Sequence, residues 1–379
     1  MRHQQQMRHQ QQMTSQKQMS QPMQASHWVF STLNNRNDAT FNQLLGINNR
    51  GQIAGYFGSG AQGHPNKGYQ LVMSRQGTRY QNENVPGALQ TQVIGINDLG
   101  VTVGFWSNQN TASQTNDNFG FYSWGGRFGT VDFPTANNAT PSVNQLLGVN
   151  DSNIAVGFYT DAKGNNHGYT YSIRGHRFRA VRILGATSVT ASAINNRDDI
   201  AGFYTNGAGV TESFVRHWFG RRTTLVYPGA SATQAFGIND SGEVVGTYTV
   251  GSGNNAKTYG FTWTRRSGYR SISDPLGVGA TTINGVNDAG DLVGFYTDSA
   301  GNTDGFLWAT KHHTAPFAPM PGSSPSMTPT PTMSATPTMT AMPTKSATPT
   351  MSPTTMPSAA PSMPAPAPSS SASPPGGPW

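Results

Sequence analysis

The chain has 379 residues and no cysteine; only 11% of its residues are charged, while 44 are glycine. The absence of cysteine excludes a disulfide framework and thiolate metal sites. The net charge of +7 does not indicate a nucleic-acid-binding domain: residues 1–26 and 311–379 hold five of the 24 bases and no acid, leaving 19 bases against 17 acids elsewhere.

Residues 1–26 are rich in glutamine and methionine, and they repeat the hexapeptide MRHQQQ. They contain no apolar segment of the length that a secretory signal peptide needs. We predict a disordered segment, with a self-associating or metal-binding tract as the alternative.

Residues 27–312 are organised around a repeated twelve-residue motif, which reads GINDSGEVVGTY at Gly237–Tyr248. Successive copies begin 49, 53, 45, 44 and 48 residues apart, at Gly46, Gly95, Gly148, Ala193, Gly237 and Gly285. A period in the forties built from short apolar runs is typical of propeller blades.

Each copy predicts a β-hairpin: an apolar strand, a polar Asn-Asp turn and a second apolar strand. The fourth turn position holds only residue types that tolerate a positive φ. These residues are Gly51, Gly100, Asn153, Asp198, Gly242 and Gly290. We interpret the turn as structural. A metal or catalytic role of its acids is the alternative, although Asn49 and Asn196 replace the acid in two copies.

Two further strands follow each hairpin, the first of the form Gly-aromatic-x-aromatic, as at Gly120–Trp124. No stretch of the repeats shows a sustained helical period. The predicted fold class is all-β, a six-bladed β-propeller of four-stranded antiparallel blades. Because the last copy stops after its third strand, the N-terminal strand Trp28–Leu33 should complete it and close the ring.

Two sets of residues are candidate binding surfaces. Polar residues three positions before each motif should form a ring near one mouth of the central channel; they are Gln43, Gln92, Gln145, Thr190, Gln234 and Thr282. A solvated start of the strand is the alternative. A basic rim should lie on the outer hairpins of blades three to five. It comprises Arg174, Arg177, Arg179, Arg182, Arg216, Arg221, Arg222, Arg265, Arg266 and Arg270. Such a rim could bind an anionic polymer or could protect the edge strands from pairing.

The loops between second and third strands vary in length, which makes them a further candidate binding face. Asp161 with Asn165, and Asp298 with Asn302 and Asp304, resemble calcium ligands in type. Their spacing does not match that of a calcium-binding loop, so we interpret these segments as hairpin loops.

Residues 313–379 are rich in proline, threonine, serine and methionine, and they predict a disordered spacer. No run of about 20 apolar residues that would predict a transmembrane helix accompanies them.

The motif GINDxGxxVGxY, followed by a loop and G-[FY]-x-[WY], resembles that of the bacterial HAF-repeat proteins over residues 28–308. The His-Ala-Phe triplet of that family is absent, and His167-Gly168-Tyr169 comes nearest to it. The resemblance implies a probable extracellular repeat protein at the cell surface or secreted, and it supplies no catalytic residues.

The sequence therefore favours a non-catalytic surface or secreted binding module, with a polysaccharide or another extracellular polymer as partner. A matrix protein without a specific ligand is one alternative, and a propeller hydrolase or lyase is another. We expect a monomer without cofactor, specific nucleic-acid partner or transmembrane segment. No catalytic or metal-binding residues are assigned.

Overall fold

A computed structural model describes residues 28–61, 63–74, 77–108, 117–134 and 142–310. All of them belong to the first of two units of the chain, Met1–Phe317, and the second unit, Ala318–Trp379, lies outside the described residues. The segments 1–26 and 313–379, predicted to be disordered, lie outside them as well.

The described residues form 24 β-strands arranged in six blades. The first strand, β1, spans Trp28–Thr32. Blade 1 contains β2 (Asn42–Ile47), β3 (Ile53–Phe57), β4 (Lys67–Ser74) and β5 (Gly77–Asn82). Blade 2 contains β6 (Gln90–Ile96), β7 (Thr102–Ser107), β8 (Phe119–Trp124) and β9 (Arg127–Val131). Blade 3 contains β10 (Asn144–Val149), β11 (Ile154–Thr160), β12 (Asn166–Ser172) and β13 (Arg177–Ala180).

The remaining blades follow the same order. Blade 4 contains β14 (Ala186–Ile194), β15 (Ile200–Asn206), β16 (Thr211–Arg216) and β17 (Arg222–Leu225). Blade 5 contains β18 (Ala232–Ile238), β19 (Val244–Val250), β20 (Lys257–Thr264) and β21 (Gly268–Ile272), with a short 3-10 helix at Gly253–Asn255. Blade 6 contains β22 (Thr281–Val286), β23 (Leu292–Thr297), β24 (Thr303–Thr310) and β1. The fold is the predicted all-β propeller of four-stranded antiparallel blades. Among the described residues, no helix is long and apolar enough to cross a membrane.

The ring closes through β1, as the sequence predicts. This strand pairs antiparallel with β24, from Trp28 opposite Thr310 to Thr32 opposite Phe306. The rings of Trp28 and Trp308 stack with their centroids 4.4 Å apart. Strands from opposite ends of the described chain thus share one sheet, and β1 pairs with the edge of β24 that would otherwise be exposed.

The first strand of each blade carries a β-bulge just before the motif glycine or alanine. At this point neighbouring first strands approach closely. A Cβ atom on Gly46 would lie 2.6 Å from the Ile94 carbonyl oxygen, and one on Gly95 would lie 2.9 Å from that of Leu147. Contacts of that length are repulsive, so a side chain at Gly46 or Gly95 would push neighbouring first strands apart, although blade 4 accommodates Ala193 at the equivalent position.

The hydrophobic core lies between the blades. One aromatic residue of each third strand is fully buried. These residues are Tyr69, Phe121, Tyr169, Phe214, Phe261 and Phe306. Around Tyr69, residues of blades 1 and 6 form a single cluster that includes Leu44 and Leu307. Each blade therefore buries its apolar faces against its two neighbours.

Strand order defines two faces of the ring. The turn face carries the Asn-Asp turns and the turns between third and fourth strands. The loop face carries the connections between second and third strands and the links between blades.

Candidate functional site

The six Asn residues that open the Asn-Asp turns form a closed hydrogen-bonded ring around the axis at the turn face. In blade 4, Asn195 Oδ1 accepts from the backbone N–H groups of Arg197 (3.0 Å) and Asp199 (2.9 Å), while Nδ2 donates to the Asn239 carbonyl oxygen (3.0 Å). The same donation to the next blade recurs around the ring, at 2.9–3.5 Å, from Asn48, Asn97, Asn150, Asn239 and Asn287. The side chain that shapes each turn therefore also joins it to the next blade.

The next residue of each turn forms a second ring, composed of Asn49, Asp98, Asp151, Asn196, Asp240 and Asp288. Each backbone N–H donates to a side-chain Oδ1 in the following blade, at 2.7–2.9 Å. The Nδ2 of Asn196 also donates to Oδ2 of both Asp151 and Asp240, at 3.0 Å each. Asn49 bridges Asp98 and Asp288 in the same way. A carboxylate only accepts hydrogen bonds, so the two amides supply donors that a ring of six acids would lack.

The rings enclose an axial cavity of about 90 Å³ with a floor of six Ile and Val side chains, including Ile47 and Val286. Burial, together with the nearby carboxylates of Asp98 and Asp240, raises the pKa of Asp151 despite its hydrogen bonds. A cavity of this size holds a few water molecules and is smaller than an ordinary ligand pocket. Among the described residues, no group of three or more His, Cys, Asp or Glu side chains could hold a metal ion.

The predicted channel ring contacts second strands and the starts of third strands. Gln43 accepts a hydrogen bond from the Tyr56 hydroxyl (2.7 Å) in its own blade, whereas Gln92 donates to Asn66 Oδ1 (2.8 Å) in blade 1. Gln145 likewise donates to Asn118 Oδ1 in the preceding blade, whereas Thr190 Oγ1 accepts from Asn166 Nδ2 of the preceding blade. None of the six predicted residues, Gln234 and Thr282 included, lines the axial cavity of the turn face. A ligand-binding role for the channel ring stays a prediction.

The arginines of the basic rim are largely unpaired. Nine of the ten are exposed; Arg216 is half-buried, and burial lowers its pKa. None of them has a carboxylate oxygen within 4.0 Å among the described residues. Two guanidinium groups lie over aromatic rings, with Arg222 Cζ 5.6 Å from the centroid of Tyr204 and Arg270 Cζ 5.2 Å from that of Trp308. Such contacts leave the positive charge available to an anion.

One member of the rim is displaced from the turn face. Arg182 follows the end of β13, in the link to blade 4. The four residues of β13 carry the chain from the turn face towards the loop face, because adjacent strands run antiparallel. The remaining nine arginines form the turn-face rim.

Sequence reasoning missed two exposed aromatic residues beside this rim. Trp218 and Phe219, in the turn between β16 and β17, are 72% and 59% exposed. Asp199, itself buried, holds this turn: Oδ1 accepts from the Trp218 backbone N–H at 3.1 Å, and Oδ2 lies 3.3 Å from His217 Nδ1. The His217 and Phe219 rings stack with centroids 5.3 Å apart. The sequence did hold a signal for them, because two adjacent aromatic residues are unusual in a hairpin turn, where polar residues prevail.

The loops that resemble calcium sites use their acids internally. Asp161 Oδ1 accepts from the backbone N–H groups of Lys163 and Asn165, and Oδ2 lies 2.8 Å from His167 Nε2. Burial acts to raise the pKa of Asp161, but these hydrogen bonds outweigh it and lower the pKa to about 2. Asp298 accepts from Ala300 and Asn302 in the same way. Both acids thus stabilise their own hairpin loops.

No protein-family model and no curated relative matches the sequence. Among solved structures, AofleA from Arthrobotrys oligospora is similar, with 11% identity, a TM-score of 0.47, and coverage of 76% of this chain and 90% of that one. A catalytically inactive virginiamycin B lyase from Staphylococcus aureus has 11% identity and a TM-score of 0.41, covering 75% and 100%. The Aleuria aurantia lectin in complex with Fucα1-6GlcNAc has 12% identity and a TM-score of 0.39, covering 75% and 98%. At these values the likeness concerns the fold alone.

Proposed function

We propose that the protein is a non-catalytic binding module for an acidic extracellular polysaccharide, which contacts the turn-face rim of blades 3 to 5. One observation carries the proposal: nine arginines without carboxylate partners lie beside the exposed Trp218 and Phe219. From the motif resemblance alone, we further propose that the protein belongs to the HAF-repeat proteins and acts outside the cell.

Guanidinium groups fit the chemistry of such a ligand. Their planar donors match carboxylate and sulfate oxygens in bidentate geometry, and they keep their charge at every physiological pH. A flexible polyanion that meets several of them releases its counterions, so its binding is strong at low salt and weakens steeply as salt rises. A large exposed aromatic ring adds an apolar surface with little loss of conformational entropy, which suits the C–H faces of a sugar.

The acidic axis limits where the polymer lies. Asp98, Asp151, Asp240 and Asp288 surround the axial cavity on the same face. Their carboxylates repel a polyanion at short range, and the Debye length of about 8 Å at physiological salt confines that repulsion to the centre. The polymer therefore follows the outer hairpins and does not cover the axis.

The acids of the turns support binding in preference to catalysis. Each carboxylate in the axial ring already accepts hydrogen bonds from neighbouring turns, as Asp240 does from Asn196. A general acid or base requires access to a substrate proton, and these oxygens are held by the protein itself.

The test compares two double variants of the full chain on immobilised alginate and heparin. Arg221→Ser with Arg222→Ser removes two charges from the rim, and Lys163→Ser with Lys257→Ser removes two exposed charges from the loop face. We expect the arginine variant to elute at clearly lower salt than the wild type, while the lysine variant elutes close to it. Trp218→Ala should weaken binding without changing its salt dependence.

If both double variants elute at the same salt concentration, retention depends on net charge alone, and the proposal that the rim is the binding site is refuted. Absence of retention for the wild type would favour a matrix protein, and release of shortened polymer would favour a lyase or hydrolase.

A further inference from the structure

A groove lies at the seam where the ring closes, between the outermost strands of blades 6 and 1. It has a volume of about 620 Å³. Its polar lining comes from the end of β1 and the following link, and from the outer strand β5; the residues are Thr32, Asn34, Asn35, Arg36, Thr78, Arg79 and Tyr80. The volume falls within the 300–1,000 Å³ range of ordinary small-molecule sites, unlike that of the axial cavity.

The groove contains a buried donor without a partner. Asn35 is only 3% exposed, and its Oδ1 accepts from the Asn37 backbone N–H at 3.0 Å, which fixes the orientation of the amide. Its backbone N–H donates to Asn42 Oδ1 at 2.8 Å. Its Nδ2 has no hydrogen-bond partner in the structure. A buried amide donor left unsatisfied is costly and rare in folded proteins. Because Nδ2 is itself buried, an acceptor from outside the chain reaches it only if the link around Asn35 moves aside.

The charged residues that line the groove are both arginines. Arg36 and Arg79 are exposed, and neither has a carboxylate within 4.0 Å among the described residues. The neighbouring Asn34 donates to Asp304 Oδ1 at 2.6 Å, so that acid is already engaged. The lining therefore offers guanidinium donors to a ligand with negatively charged oxygens.

One wall of the groove is aromatic. The ring of Tyr80 packs edge-on against that of Tyr69, with centroids 5.1 Å apart. Burial raises the pKa of Tyr80 to about 12, with Arg36 acting in the opposite direction, so its hydroxyl stays protonated at neutral pH and is a further donor. Thr32 Oγ1 lies 2.8 Å from the Tyr296 hydroxyl, which places one more hydroxyl pair at this end of β1.

We propose that this groove binds a single carboxylate-bearing sugar of hexuronate size. The carboxylate lies between Arg36 and Arg79, and the sugar face packs on Tyr80. Two arginines match a carboxylate in bidentate fashion, whereas the hydroxyl and aromatic groups match the rest of a sugar. The site is separate from the turn-face rim, so it stands whether or not the rim binds a polymer.

The position of the groove links binding to closure of the ring. Arg36 follows the strand that completes blade 6, whereas Arg79 lies on the outer strand of blade 1. A ligand held by both arginines binds the closed ring better than a form in which β1 has detached. It therefore raises the melting temperature, and at ligand concentrations above Kd the rise grows with the logarithm of the concentration.

The experiment titrates the full chain with glucuronate, galacturonate, glucose and inorganic phosphate, by isothermal titration calorimetry and thermal melting. We expect saturable hexuronate binding with a rise in melting temperature, and no response to glucose. Arg36→Gln with Arg79→Gln should weaken hexuronate binding at least tenfold. The matched control, Lys163→Gln with Lys257→Gln on the loop face, should leave it unchanged. All four residues are exposed, so both variants should fold.

The proposal is overturned if the wild type shows no saturable hexuronate binding at millimolar concentration. It is also overturned if inorganic phosphate binds as tightly as hexuronate, or if the Arg36 and Arg79 variant binds like the control.

Discussion

The ring of asparagine and aspartate at the axis makes one strong prediction, for the change Asn196→Asp. The amide Nδ2 of Asn196 donates to Asp151 Oδ2 and Asp240 Oδ2, both at 3.0 Å. In the variant, an oxygen of a third carboxylate faces these two oxygens at the same distance. Two hydrogen bonds to charged groups are lost, and two like-charge contacts replace them.

The magnitude follows from these distances. Two unit charges about 3 Å apart repel by about 1.4 kcal/mol even with the dielectric constant of water, so two contacts contribute about 3 kcal/mol. Each lost hydrogen bond adds about 1 kcal/mol, and side-chain rotation on this exposed rim relieves part of the total. We expect a loss of about 2–4 kcal/mol in the free energy of unfolding at neutral pH, or about 4–16 °C in melting temperature for a domain of this size.

The loss should depend on pH with a definite sign. The crowded carboxylates have folded-state pKa values above their unfolded values, as burial and neighbouring acids already cause for Asp151. The folded variant then binds more protons than the unfolded chain at pH values near these pKa values. Its stability therefore falls as pH rises through them and recovers on acidification. Salt should also reduce the loss.

Urea unfolding of the wild type and Asn196→Asp at pH 4.5 and pH 7.5 measures this effect. The control is Asn255→Asp, which adds the same charge at an exposed position of the loop face. A variant as stable as the control at pH 7.5, or one whose deficit is the same at both pH values, would refute the account of the ring as an alternation of donors and acceptors.

The remaining predictions concern single elements of the fold. Gly242 has a φ of 81° and open space where a Cβ would lie, so Gly242→Val should cost about 1–3 kcal/mol from backbone strain alone and Gly242→Asn much less; equal costs by urea unfolding would contradict this. Deleting residues 27–33 should lower the melting temperature sharply, whereas deleting residues 1–26 should leave it unchanged, and matching calorimetric melts would argue against closure through β1. Because hydrogen bonds lower the pKa of Asp161 to about 2, the stability difference between the wild type and Asp161→Ala should be nearly constant above pH 4 and shrink as pH falls from 4 through 2; a difference that is the same at pH 4 and below pH 2 would show that packing, not charge, is lost.

Much of the fold could be predicted from the sequence, because the requirements involved are local or periodic. The fourth turn position is an example: Asn153 and Asp198 have φ values of 59° and 60°, alongside Gly51 at 69°. Only a few residue types accept that region of backbone space, so the sequence pattern records it directly. The half-blades at the two ends likewise predicted the pairing of β1 with β24, since an unpaired edge strand is unfavourable.

The axial rings and the groove depend on contacts between blades, which no local pattern encodes. The contact between Asn287 and Asn48 joins residues from opposite ends of the repeats, and the interpretation of the Asn-Asp turn as structural could not predict that its side chains join neighbouring blades. The groove arises in the same way, since Arg36 and Arg79 come from different blades and meet only after β1 has joined β24. Side-chain contacts of this kind are set by the distance between blades around the axis, and that distance is fixed only when all six blades have packed together.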